Sequence, residues 1–141
     1  MIQVLCMPDS EKLPPGMSPD PESVELPVRV RVAFRTHVWR PPTDVYETED
    51  SIVVRIEIAG MREEDFSIVL EGRYLTVHGV RIDAPEKRAY YQMEIPFGEF
   101  RADIELPRPV SASEIEAVYA DGFLRVVLPK VRPQKVTIEE Q

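Results

Sequence analysis

Apolar and polar residues alternate through several short stretches of this chain, and a period of two marks β-strands with one buried face. Across residues 51–58, Ile52, Val54, Ile56 and Ile58 fall on one side, opposite Val53, Arg55 and Glu57. Across 66–71, Phe66, Ile68 and Leu70 alternate with Ser67, Val69 and Glu71. Gly72-Arg73 then gives a tight turn into 74–80, where Leu75 and Val77 point one way. Across 100–106, Phe100, Ala102, Ile104 and Leu106 alternate with Arg101, Asp103 and Glu105. Two more strands, at 115–119 and 123–128, flank the turn Asp121-Gly122. Short strands at this spacing predict an all-β sandwich or barrel. Helix is limited to one short turn within 61–65 and another within 111–114.

The flanks read differently. Residues 1–27 contain Pro8, Pro14, Pro15, Pro19, Pro21 and Pro27. Proline lacks a donor N–H and resists both helix and central strand, so this arm is expected to be extended or disordered. Val28, Val30 and Val32 then alternate with Arg29 and Arg31 up to Phe34, which fits a short strand or an arm that orders on assembly. Residues 82–99 lack clean alternation and are long for a hairpin connection. Tyr90, Tyr91 and Phe97 argue against disorder throughout that stretch, since aromatic rings seek burial. Past Pro129 the chain is polar, except that Val136 and Ile138 would share one side of an extended strand. The expected organisation is a Pro-rich, flexible arm at 1–38, one domain at 39–130 and an extension at 131–141.

Charge narrows the partners. The chain of 141 residues carries a net charge of −8, and all of it arises in 41–130, where acidic side chains outnumber basic ones. Such a domain repels phosphate backbones and anionic lipid, so neither nucleic acid nor a membrane surface is an expected partner. The single Cys6 cannot form an internal disulfide, which fits a reducing compartment. The stretch 1–7 is too short for a signal sequence and no run approaches a membrane span. A cytoplasmic location is the expectation.

Catalytic chemistry finds no support. His37, His78 and Cys6 are dispersed and lack zinc-ligand spacing. Ser51, Ser67, Ser111 and Ser113 lack a nucleophile elbow, and no Gly-rich loop is built to cradle phosphate. No catalytic, metal or cofactor-binding residue is expected, and no cofactor.

The residues themselves resemble the small heat-shock protein family. Trp39-Arg40-Pro41-Pro42-Thr43-Asp44-Val45-Tyr46-Glu47 looks like that family's lead-in to its domain. Ile56-Glu57-Ile58-Ala59-Gly60-Met61 is similar to its strand and Pro-Gly turn, with Ala59 where Pro is usual. Tyr74-Leu75-Thr76-Val77-His78-Gly79 resembles a family strand ending in Gly. Glu94, Phe97-Gly98-Glu99-Phe100 and Leu106-Pro107 match the segment after the long loop. The most specific piece is Ala117-Val118-Tyr119-Ala120-Asp121-Gly122-Phe123-Leu124 with Leu128-Pro129-Lys130, similar to A-x-x-x-(N/D)-G-x-L followed by L-P-K. The chain departs from the family at Gln92 and Ala102, where arginines that often help bridge subunits are common.

The resemblance implies an immunoglobulin-like antiparallel β-sandwich, the alpha-crystallin domain, and an ATP-independent holdase that binds partly unfolded client proteins. It also implies homodimers and larger homo-oligomers. Gly122, Leu124 and Pro129 would be structural signature residues. Val136 and Ile138 would dock in a neighbour's groove, for which Ile68, Leu70, Ile115 and Ala117 are the candidates. The loop carrying Tyr90, Tyr91, Glu94 and Phe97 would reach the partner's sandwich. The alternative is a CS-type co-chaperone that docks on a larger ATP-dependent chaperone. The long loop and the Val-x-Ile tail favour the holdase.

Overall fold

The computed structural model describes residues 2–7 and 37–132. Two four-stranded sheets face each other across one apolar core. One sheet contains β1 (Val4–Met7), β4 (Phe66–Glu71), β5 (Tyr74–Arg81) and β6 (Gly98–Glu105), in that spatial order. The other is ordered β2 (Thr43–Glu47), β3 (Ser51–Glu57), β8 (Phe123–Pro129) and β7 (Glu116–Ala120). Every pairing is antiparallel except β1 on β4. One 3-10 turn, Glu63–Asp65, precedes β4 and another, Ala112–Glu114, precedes β7.

The alternating residues meet in the middle. Ile52, Val54, Ile56 and Ile58 from the β3 stretch face Leu75, Val77, Phe100 and Ala102 from the other sheet, all fully buried. Burial of this kind stabilises by about 1.5–3 kcal/mol per large aliphatic side chain. Val53 lies on the outer face and is also buried, because its neighbours in the sheet are Tyr46 on β2 and Val127 on β8. A central strand is covered laterally where an edge strand is not.

Two glycines answer to geometry. Asp121 and Gly122 both have positive φ, 53° and 83°, as a two-residue hairpin of the primed type requires between β7 and β8. Gly79 lies between Phe66 and Phe100 in the sheet. A Cβ there would come within 2.5 Å of the Asp65 carbonyl oxygen and 2.8 Å of the Phe100 ring.

Two strands were not among those predicted from alternation. β2 reads Thr-Asp-Val-Tyr-Glu and buries no residue, so it carries no apolar stripe to detect. β1 lies within the arm expected to be extended or disordered. Val4–Met7 is extended there and pairs as a strand, because the β4 edge supplies backbone partners and a hydrophobic face.

Candidate docking edges of the sandwich

The first candidate surface is the groove between β4 and β7, where the two sheets come together. Ile68 and Leu70 project inward from β4, and Ala117 does so from β7; all three are buried. Ile115 is half-buried and packs against the same cluster. Tyr119 closes one end. Its hydroxyl donates to the Ile58 carbonyl at 2.8 Å and accepts the Met61 N–H at 3.3 Å. Its ring lies 5.0 Å from that of Phe66. Ile68, Leu70 and Ala117 thus belong to the one core cluster of the sandwich, and Ile115 packs against it. Ile2 is buried in the same cluster and Val4 packs against it, while β1 lies along β4 in the register Val4↔Ile68 and Cys6↔Leu70.

The second surface is the connection between β5 and β6. It forms no strand. Ile82, Tyr90, Tyr91, Met93 and Ile95 are exposed, Tyr91 fully so. Within the single chain neither Tyr90 nor Tyr91 is buried. The loop is pinned at its base by Arg81. The Arg81 guanidinium donates through Nε to the Pro96 carbonyl at 3.0 Å, with a second bond from Nη2, and through Nη1 to the Ala59 carbonyl at 3.3 Å. It also stacks 4.5 Å above the Trp39 ring and 5.1 Å from the Phe97 ring, a favourable geometry for a cation on aromatic faces. Further out, Arg88 pairs with Asp83 at 3.0 Å and lies over the Tyr90 ring. Gln92 Nε2 donates to Glu94 Oε2 at 2.7 Å.

The third surface is the outer edge of β2, which has no strand partner among the described residues. Its far end is charged. Glu47 meets Arg108 at 2.9 Å and Lys130 at 3.0 Å. The Lys130 hydrogen bond, reinforced by the nearby Arg108 and Lys130 charges, holds the Glu47 carboxyl below the usual carboxylate range. Asp44 accepts from Arg55 at 2.6 Å.

These features have counterparts. Residues 44–140 match the Hsp20/alpha crystallin family. The chain belongs to that family. Among curated proteins it is similar to Heat shock protein 16 of Schizosaccharomyces pombe, 32% identical over 95 residues that span 64% of this chain and 66% of that protein. It is also similar to Small heat shock protein C4 of Rickettsia felis, 26% identical over 72% of this chain and 64% of that protein. Its match thus spans slightly less than two thirds of these relatives. Among solved structures, Heat shock protein 16.0 from Schizosaccharomyces pombe superposes with a TM-score of 0.59 at 30% identity, over 72% of this chain and 98% of that one. HSP18.5 from E. histolytica shares the fold, with a TM-score of 0.62 at 24% identity over 74% of this chain and all of that one. The sandwich is an alpha-crystallin domain.

Within that domain the signature residues are distributed as follows. Leu124 is fully buried, opposite Ile56 on β3 and Tyr119 on β7. Gly122 occupies the hairpin, and its carbonyl accepts the Ile58 N–H at 2.8 Å. Pro129 ends β8, and its carbonyl accepts the Ser111 N–H at 2.7 Å. Ala102 is inward-facing core opposite Val77, while Arg101 points outward and pairs with Asp103 at 3.0 Å. Val136 and Ile138 lie outside the described residues, as do Val28–Phe34 of the arm. Among the described residues, no cluster of His, Cys, Asp and Glu has the grouping to hold a metal ion, and no helix is long and apolar enough to cross a membrane.

Sequence reasoning missed Ile2 and Arg81. Ile2 and Val4 are two apolar residues one apart, a signal too short to separate from chance. Arg81 had no signal at all, since its acceptors are carbonyls remote in sequence.

Proposed function

We propose that the protein is an ATP-independent holdase that captures partly unfolded proteins in the cytoplasm, makes and breaks no covalent bond, and works as a homodimer that builds larger homo-oligomers. The observations that carry this reading are the exposed apolar β5–β6 loop and a β2 edge with no strand partner among the described residues, in a chain of the Hsp20/alpha crystallin family. Exposed apolar patches mark interaction sites, and a bare edge is a template for an added strand. The loop with Tyr90, Tyr91, Glu94 and Phe97 would reach across to a partner's sandwich, with the β2 edge as its acceptor. The rings exposed in one chain would then be covered in the dimer. The tail residues Val136 and Ile138 would enter a neighbour's groove at Ile68, Leu70, Ile115 and Ala117 by strand addition, with backbone bonds for affinity and alternate side chains for specificity.

The test is light scattering from a heat-aggregating client without nucleotide. The protein should suppress scattering in proportion to its concentration; no suppression at excess protein sinks the holdase reading. Replacing Val136 and Ile138 by Gly should shrink the assembly towards dimers in sedimentation while leaving the domain's thermal unfolding unchanged. An unaltered size distribution would remove the tail from the assembly contacts.

A further inference from the structure

We propose that Arg81 is the positioning residue of the loop 82–97: it fixes the direction in which the loop leaves its own domain, and so sets how tightly two copies pair. The inference rests on the reading above that this loop reaches a partner's sandwich, and it adds the residue that aims it.

Three observations carry it. First, Arg81 grips both stems of the loop. It is the last residue of β5 and lies opposite Gly98, the first residue of β6. Its guanidinium donates from both Nε and Nη2 to the carbonyl of Pro96, on the returning stem. The departing stem is thus tied to the returning one by a two-pronged bond beyond the β5–β6 ladder. A planar guanidinium presents its N–H groups in a fixed fork, so this bond sets an angle as well as a distance.

Second, the fork is itself held from outside the loop. Its Nη1 donates to the Ala59 carbonyl at 3.3 Å, on the turn after β3. Its carbon Cζ lies 4.5 Å from the centre of the Trp39 ring and 5.1 Å from that of Phe97, where a cation is attracted by the ring faces. Trp39 cannot follow the loop. Its N–H donates to the Glu99 carbonyl at 3.1 Å, its carbonyl accepts the Arg101 N–H at 2.9 Å, and its indole N–H reaches the Gly98 carbonyl at 3.4 Å.

Third, beyond this base the loop holds only itself. Arg88 bonds Asp83 and the Ala84 carbonyl, Tyr90 reaches Asp83, and Gln92 bonds Glu94. Tyr91, Met93 and Ile95 are exposed. The orientation of the loop on the sandwich is therefore decided at Arg81. A loop already aimed at its partner has less freedom to lose on pairing.

The test is a dilution series of the full-length chain followed by native mass spectrometry, which reads the concentration at which half the chains are single. Arg81→Gln removes the charge and the fork. It should raise that concentration at least about tenfold, because a loop correctly aimed a tenth of the time lowers apparent affinity by that factor. Arg81→Lys keeps a cation beside the rings and loses the fork, and should fall between Gln and the parent. An unchanged concentration in Arg81→Gln overturns the proposal, and a lysine variant equal to the parent overturns the role of the fork. Amides of β3 and β8 in single chains should keep their hydrogen-exchange protection in both variants. Loss of that protection would make Arg81 a prop of the core, which also overturns the proposal. Trp39 is the chain's only tryptophan, so acrylamide quenching of single chains reports the stack directly. Quenching should increase in Arg81→Gln; no change overturns the stack and the aim it provides. The combined change Tyr91→Ser, Met93→Ser and Ile95→Ser tests the loop reading by itself and should leave single chains. Pairing as in the parent would sink that reading, and the inference with it.

Discussion

Two of the four sheet edges of the sandwich are treated in opposite ways. At β4 the chain lays its own N-terminal strand along the edge, and an apolar groove is filled by Ile2 and Val4. At β2 the edge has no strand partner among the described residues, and charge gathers around it: Asp44 with Arg55, and Glu47 with Arg108 and Lys130. Both devices are known means of keeping sheet edges from pairing at random. They differ in what they permit next. A plug hides apolar surface until something of like shape replaces it. A charged edge hides nothing and selects a partner by sign. One domain therefore carries a covered edge and, among the described residues, a bare one.

Changes can be placed to strike both edges, one edge, or only the charges on one. The largest effect belongs to the shared core. Leu124 packs in β8, between β3 and β7, and is fully buried. Leu124→Ala should cost about 2–5 kcal/mol, read by chemical denaturation, and should weaken both edges together. A loss near zero would place Leu124 outside the cooperative core.

Gly79→Ala should act on the β4 side. Its Cβ would press on the Asp65 carbonyl, immediately before β4 begins, and on the Phe100 ring. Neither can retreat cheaply, one being backbone and the other fully buried. Overpacking of this kind costs about 1–3 kcal/mol. Hydrogen exchange should show amides of β4 losing more protection than those of β2. Uniform loss across both edges would mean that the strain spreads through the core rather than staying beside β4.

The smallest effect is expected at β2. Glu47 holds its proton less tightly than an ordinary carboxylate because Lys130 hydrogen-bonds it and Arg108 lies beside it. A carboxyl with a depressed folded-state pKa stabilises above its unfolded pKa, and that contribution is lost as pH falls through the folded value. Glu47→Gln should thus lower thermal stability slightly at neutral pH, with the gap to the parent closing in acid below the usual carboxylate range. The pair is exposed, so the neutral-pH difference should be near the limit of detection and should shrink further in high salt. A difference that persists unchanged into strong acid would rule out the ion pairs as its cause.

Local pattern carried most of the fold. Strands β3 to β8 each have an apolar stripe of period two, and each was legible within a residue or two because that stripe is what the core demands. The Asp121-Gly122 hairpin was legible because few residue pairs tolerate positive φ in succession. Ile68, Leu70 and Ala117 could be named as inward positions on two strands, and Ile115 lies just before the second. Tertiary structure alone decided what lies over them. β1 has no period long enough to read, and it becomes a strand because β4 offers backbone partners and the core receives Ile2. Arg81 shows the same limit. Its guanidinium ties Ala59, Pro96, Trp39 and Phe97 together, contacts that form between positions far apart in the chain and follow no spacing. Periodicity encodes which face of a strand is buried; which segment meets an edge depends on closure of the whole sandwich, and that information is nowhere local.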